Sequence, residues 1–205
     1  MFMQDFAHTA ATATPVLSPA DPGRATALRP LTCGLVAGTL VETAMGWKPV
    51  QDLRLDEAVQ TLDGGLARVR ALDRRHLSPA SNPLLVHVPG GAFDACSDLL
   101  LLPDQPVLLD SLGARVAVDG REDALFVLVP ALALIGLHGV RRVDLQRNLE
   151  VVTPLFAEEE MVYAQTGVLL RCPGMAPDPA ESFFPELDLL EAMAFLRHRD
   201  RQLAA

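Results

Sequence analysis

The chain has 205 residues, a formal net charge of −9, 50% apolar residues and 21% charged ones. That length and balance allow one full hydrophobic core and lie far from the low-hydrophobicity, highly charged composition of disordered chains. The acidic charge, with Lys48 as the only lysine and arginines scattered along the chain, argues against a nucleic-acid partner, whose phosphates require clustered cations.

From the N-terminus, residues 1–5 offer neither a positive n-region nor an apolar h-region, so no secretory signal peptide is expected. Residues 1–32, which include AHTAATATPVLSPADPGRATALRP, read as a mobile leader, because repeated prolines withhold the backbone donors that a ladder requires. From Cys33 the texture changes to short Val- and Leu-rich runs broken by turn signals such as Met45-Gly46, Asp63-Gly64-Gly65, Pro89-Gly90-Gly91 and Asp119-Gly120. This is the pattern of many short strands. A hairpin is predicted around Asp63-Gly64-Gly65, with residues 58–61 entering the turn and residues 66–72 leaving it in partial alternation; glycine supplies the positive φ angles that such turns demand. Further strands are expected at 39–43, 84–88, 99–102, 107–109, 126–129, 150–156, 161–164 and 168–171.

The apolar run 124–137 contains Pro130 and is shorter than the roughly 20 residues that a membrane span takes, so it reads as buried core and no membrane association is expected. After Pro173 the loop MAPDPAES leads into a predicted helix at 185–202. On it Leu189, Leu190, Met193 and Leu196 form an apolar stripe, expected to dock on the β domain or else to take a protein partner. Acids early in this helix and arginines late in it complement the helix dipole. The organisation is therefore a leader at 1–32, a β domain at 33–173 and a loop with a helix at 174–205.

Cys33, Cys96 and Cys172 fit neither a disulfide framework nor a CxxC metal site, and His76, His87 and His138 show no ligand spacing. No metal and no cofactor are expected. The cysteine usage fits a reducing compartment, so a soluble, cytoplasmic protein is expected, with signal-less export open beside it.

The segment GLVAGTLVETAMGWKPVQDLRLDEAVQTLDGG at 34–65 resembles the opening of bacterial Hint (Hedgehog/intein) domains. There a nucleophilic residue is followed by a Gly-Thr or Asp-Thr pair, a strand, a Gly turn, a Pro-Val with a Leu, and a second strand ending in a turn. Gly38-Thr39, Gly46, Pro49-Val50, Leu53, Val59 and Asp63-Gly64 fill those places. DLLLLPDQPVLL at 98–109 is similar to the family segment that reads Thr or Ser, two residues, then His before an apolar strand. EEEMVYAQTG at 158–167 is similar to the late block, in which a His precedes Glu, a strand and a Gly. The three blocks stand in the family's order and span about two thirds of the chain.

The resemblance implies a mainly β fold, horseshoe-like or closed, with the helix appended. It also implies a chemistry: in active relatives a Cys or Ser at the first position attacks the preceding carbonyl, turning an amide into a thioester or ester. A Thr-x-x-His pair strains and protonates the scissile amide, and donors hold the oxyanion. This sequence departs from that pattern at each decisive place. The first position is Gly34, without a side chain, and Cys33 lies one residue early. The Thr-x-x-His places hold Leu102 and Gln105, whose amide has no useful titration near neutral pH. The late His is Glu159, a carboxylate.

Thr39 reads equally as a strand residue, and the Glu158-Glu159-Glu160 run as a solvated turn. Three functions follow. The leading one is a Hint domain without autoprocessing, serving as a scaffold or interaction module. Beside it stand an atypical autoproteolytic domain using Cys33 and an unrelated small β-barrel that binds a ligand or partner.

Overall fold

The computed structural model describes residues 33–62, 64–112, 124–175 and 182–203. The leader at 1–32, the Asp119-Gly120 turn and most of the MAPDPAES loop lie outside them. In chain order the strands are β1 (Leu35–Val36), β2 (Leu40–Thr43), β3 (Gly46–Pro49), β4 (Ala58–Thr61), β5 (Gly65–Arg68), β6 (Ala71–Leu77) and β7 (Leu84–Val88). They continue with β8 (Leu99–Leu101), β9 (Pro106–Asp110), β10 (Phe126–Pro130), β11 (Arg141–Asp144), β12 (Leu149–Leu155), β13 (Glu160–Ala164) and β14 (Val168–Cys172), followed by helix α1 (Leu189–Leu203).

These strands form two antiparallel sheets. One runs β11-β7-β8-β1-β12-β6; the other runs β10-β9-β14-β13-β2-β4-β5, with β3 added on β2. Neither order returns to its first strand, and β10 pairs on its outer edge with the segment at 185–187, so among the described residues neither sheet closes on itself and, of the two expected forms, the closed one is not formed. Alternation explains which face each strand buries: in β14 Val168, Leu170 and Cys172 are buried, while Leu169 and Arg171 between them are half-buried. Period-two alternation of this kind puts one face of a sheet on the core. The chain crosses between sheets at three places that matter below: from β1 to β2 through 37–39, from β8 to β9 through 102–105, and from β12 to β13 through 156–159.

The predicted hairpin is present as β4 paired with β5, Thr61 opposite Gly65 and Ala58 opposite Arg68. Gly65, at φ 64°, takes a left-handed turn conformation, which a residue with a Cβ adopts only at a cost. Asp63 itself lies outside the described residues. The second strand does not run on to Leu72 as expected. It breaks after Arg68, and residues 71–77 pair instead with β12, Ala71 opposite Leu155 and Leu77 opposite Leu149. Buried Val69 sits in the break, where the chain passes from one sheet to the other.

The apolar run 124–137 is largely core, as expected: Val127, Leu128, Val129, Ala131, Ala133 and Leu134 are buried, although Leu125 is exposed. The main cluster joins Leu35, Val41, Val59, Leu101, Val107, Val152, Phe156, Val162 and Leu170 from both sheets.

Helix α1 starts four residues later than predicted. Asp188 caps it, its Oδ1 accepting from Leu190 N–H and Glu191 N–H at 2.8 Å each, while Glu191 Oε2 accepts from Asp188 N–H at 2.9 Å. This reciprocal cap fixes the start and leaves 185–188 extended. The docked stripe is also a different one. Ala192, Phe195 and Leu196 are buried, whereas Leu190 is 76% exposed and Leu189 and Met193 face water. Of the four residues expected to dock, Leu196 alone does so.

Candidate functional site

A cavity of about 450 Å³ opens where the chain enters β1, at the crossing into β9, at the crossing into β13 and at the end of β14. Cys33, Gly34, Gln105 and Glu159, four of the six residues picked from the sequence, line it. The other two do not. Leu102 is fully buried in a separate apolar cluster with Leu77, Leu85 and Val151, because the turn whose Gln105 N–H donates to Leu102 O at 3.1 Å points the two side chains apart. Thr39 is buried beside the tight turn after β1, its N–H donating to Val36 O at 3.0 Å and its carbonyl accepting from Val50 N–H at 2.8 Å.

Gln105 is the organising residue. It is 1% exposed, and both ends of its carboxamide are engaged: Oε1 accepts from Gly34 N–H at 2.9 Å, and Nε2 donates to Arg171 O at 2.9 Å and to Pro106 O at 3.2 Å. The nitrogen it engages belongs to the Cys33–Gly34 peptide bond. Breaking that bond requires a proton delivered to this nitrogen. An amide oxygen facing it accepts from its N–H instead.

Gly34 is glycine for two structural reasons. Its φ is +122°, a region that side chains rarely adopt, and a Cβ built there would lie 2.7 Å from both Thr153 Oγ1 and Val151 Cγ1. The position where the resemblance expects a nucleophile has neither the side chain nor the room for one.

Cys33 is an exposed residue whose thiol is partly desolvated at the mouth of the cavity; this desolvation chiefly holds it above the usual thiol range, with Arg171 opposing and Asp104 adding to the effect. At neutral pH it is a neutral thiol, which is a poor nucleophile. Cys172, buried at the end of β14, is pushed up further, again by burial first and then by the charge of Cys33.

The rim of the cavity is polar, and most of it was not legible in the sequence. Arg171 grips Glu186 with both nitrogens, at 2.5 and 3.3 Å, and lies 3.7 Å from Glu159. Ser182 Oγ donates to Glu159 Oε1 at 2.5 Å. Glu159 is therefore engaged rather than the solvated turn residue expected of its acidic run. An arginine inside the apolar strand VLLRC was the one signal of this cluster; Ser182 and Glu186 carry none.

Two histidines meet carboxylates outside the cavity, His87 Nε2 at 3.0 Å from Asp98 and His138 Nε2 at 2.7 Å from Asp200, while His76 is exposed. Among the described residues no cluster of His, Cys, Asp and Glu is arranged to hold a metal ion. No helix there is long and apolar enough to cross a membrane.

A family model described as the Hint domain matches residues 33–169. The chain belongs to the Hint domain family. The unrelated β-barrel is thereby set aside, and the protein takes its place in a family related to self-splicing domains. Among solved structures, this Hint domain is similar to an AceL NrdHF class 3 split intein, a glutathione-linked, splice-inactive variant, with 13% identity and a TM-score of 0.44 over 70% of this chain and 99% of that one. A bacterial intein-like domain from Clostridium thermocellum gives 15% identity and a TM-score of 0.44 over 67% of this chain and 97% of that one. The MchDnaB-1 intein gives 17% and 0.41, over 66% and 98%. No curated protein matches the chain.

Proposed function

We propose that this Hint domain performs no autoprocessing and serves as a stable scaffold or interaction module. The observation that carries the reading is the contact of Gln105 Oε1 with the Gly34 N–H. It puts a proton acceptor where cleavage needs a donor, beside a first position with no nucleophile. Glu159, a carboxylate engaged with Ser182 and Arg171, extends the same loss to the late family place. For the alternative in which Cys33 is the nucleophile, the raised thiol pKa is unfavourable, and no base is hydrogen-bonded to Cys33 among the described residues. As an interaction module, the domain offers the outward face of α1, where Leu189, Leu190 and Met193 are exposed.

If several parts of the machinery are missing together, restoring one adds scarcely any rate, because members of a catalytic unit act non-additively. Gly34→Cys should stay uncleaved by intact mass. Gly34→Cys combined with Gln105→His and Glu159→His, and with Val151→Ala and Thr153→Ala to admit the new side chain, should show slow scission before residue 34 that hydroxylamine accelerates. Cleavage of the Gly34→Cys variant alone, as fast as that of the combined variant, contradicts the reading.

A further inference from the structure

We propose that Cys33 and Cys172 are a disulfide-forming pair, which ties the entry of β1 to the end of β14 when the protein meets a small-molecule disulfide. Three observations converge on it. Both cysteines line the same cavity. The carboxamide of Gln105 bridges the peptide unit that follows Cys33 to the one that precedes Cys172, with 2.9 Å to Gly34 N and 2.9 Å to Arg171 O. One amide group thus separates the two cysteine-bearing stretches of backbone. Cys172 also lies within the field of Cys33, whose charge is among the causes that hold it protonated.

The two residues have complementary roles. Cys33 is exposed and stands in no strand, ahead of β1, so it meets an oxidant first. Cys172 is buried and fixed by β14, opposite Glu160 of β13. The third cysteine, Cys96, is exposed in the loop before β8 and lies outside the cavity.

The reaction is thiol–disulfide exchange. The Cys33 thiolate attacks one sulfur of oxidised glutathione, releases one glutathione thiolate and forms a mixed disulfide. The Cys172 thiolate then attacks the Cys33 sulfur and releases the second glutathione. Two protein thiols lose two protons and two electrons, and the small disulfide is reduced to two thiols. Because both thiols are held above the usual range, the closure speeds up as pH rises. The bond spans almost the whole β domain, and a cross-link over so long a loop restricts the unfolded chain strongly.

The test uses the full chain in a Cys96→Ala background, incubated with oxidised glutathione at mildly alkaline pH and quenched in acid. The expected product is lighter than the reduced protein by two hydrogen atoms, carries a peptide containing Cys33 joined to one containing Cys172, and melts higher than the reduced form until dithiothreitol is added. Cys172→Val, which keeps the core filled, should instead accumulate the glutathione adduct on Cys33, at least about tenfold above its level in the background protein. Equal adduct on Cys33 with and without Cys172, or no cross-linked peptide at any oxidant concentration, overturns the proposal.

Discussion

At Gly34 a methyl group would stand 2.7 Å from Thr153 Oγ1 and from Val151 Cγ1, on a backbone with φ of +122°. Gly34→Ala is therefore expected to cost about 3 kcal/mol, combining backbone strain with overpacking of a buried site. Urea unfolding measures it, and a loss below about 1 kcal/mol would mean that Thr153 and Val151 give way freely. The same residue illustrates what a sequence carries. That the first family place holds a glycine was legible from its spacing to Gly38-Thr39; that the fold forbids anything larger was not, because the obstructing side chains come from β12, more than a hundred positions along the chain. Gln105 was legible as an amide in a histidine's place, yet its three hydrogen bonds depend on the turn at 102–105 meeting β1 and β14. Leu102 shows the opposite outcome: a residue matched by spacing alone turns its side chain into a separate apolar cluster.

Elements bounded by glycine turns and built from alternating apolar residues were read within a residue or two, as β4, β7, β13 and β14 illustrate. Apart from the two-residue apolar β1, the ones missed have polar sequences. β3 reads GWKP and β11 reads RRVD, and their pairing comes from partners across the sheet, Val41 with Lys48 and Val86 with Arg142. β6 reads ALDRRHL and is held as a strand by seven aligned residues of β12. No local pattern announces such strands, because tertiary pairing outweighs propensity. In α1, which starts after the Asp188 cap, the docked stripe is Ala192, Phe195 and Leu196. Leu196→Ala should lose about 2–5 kcal/mol, as for a buried leucine, while Leu190→Ala, at 76% exposure, should change stability by no more than about 0.5 kcal/mol. Equal losses in the two thermal unfolding curves would return the docked face to the stripe read from the sequence.

Across the whole molecule, two open antiparallel sheets exchange their strands through crossings, and the cavity forms where those crossings converge on the end of β14. This convergence is why residues 33, 105, 159 and 172 meet although they are scattered along the sequence. It also sets what the cavity can do, since its nitrogen of interest faces an acceptor and the thiols within it stay neutral near physiological pH. The most direct test is to incubate the wild-type chain with dithiothreitol and hydroxylamine and follow its intact mass. A single unchanged mass is predicted. A fragment beginning at Cys33 or Gly34, formed in the presence of these nucleophiles and abolished by Cys33→Ala, would contradict the account and make Cys33 a working nucleophile.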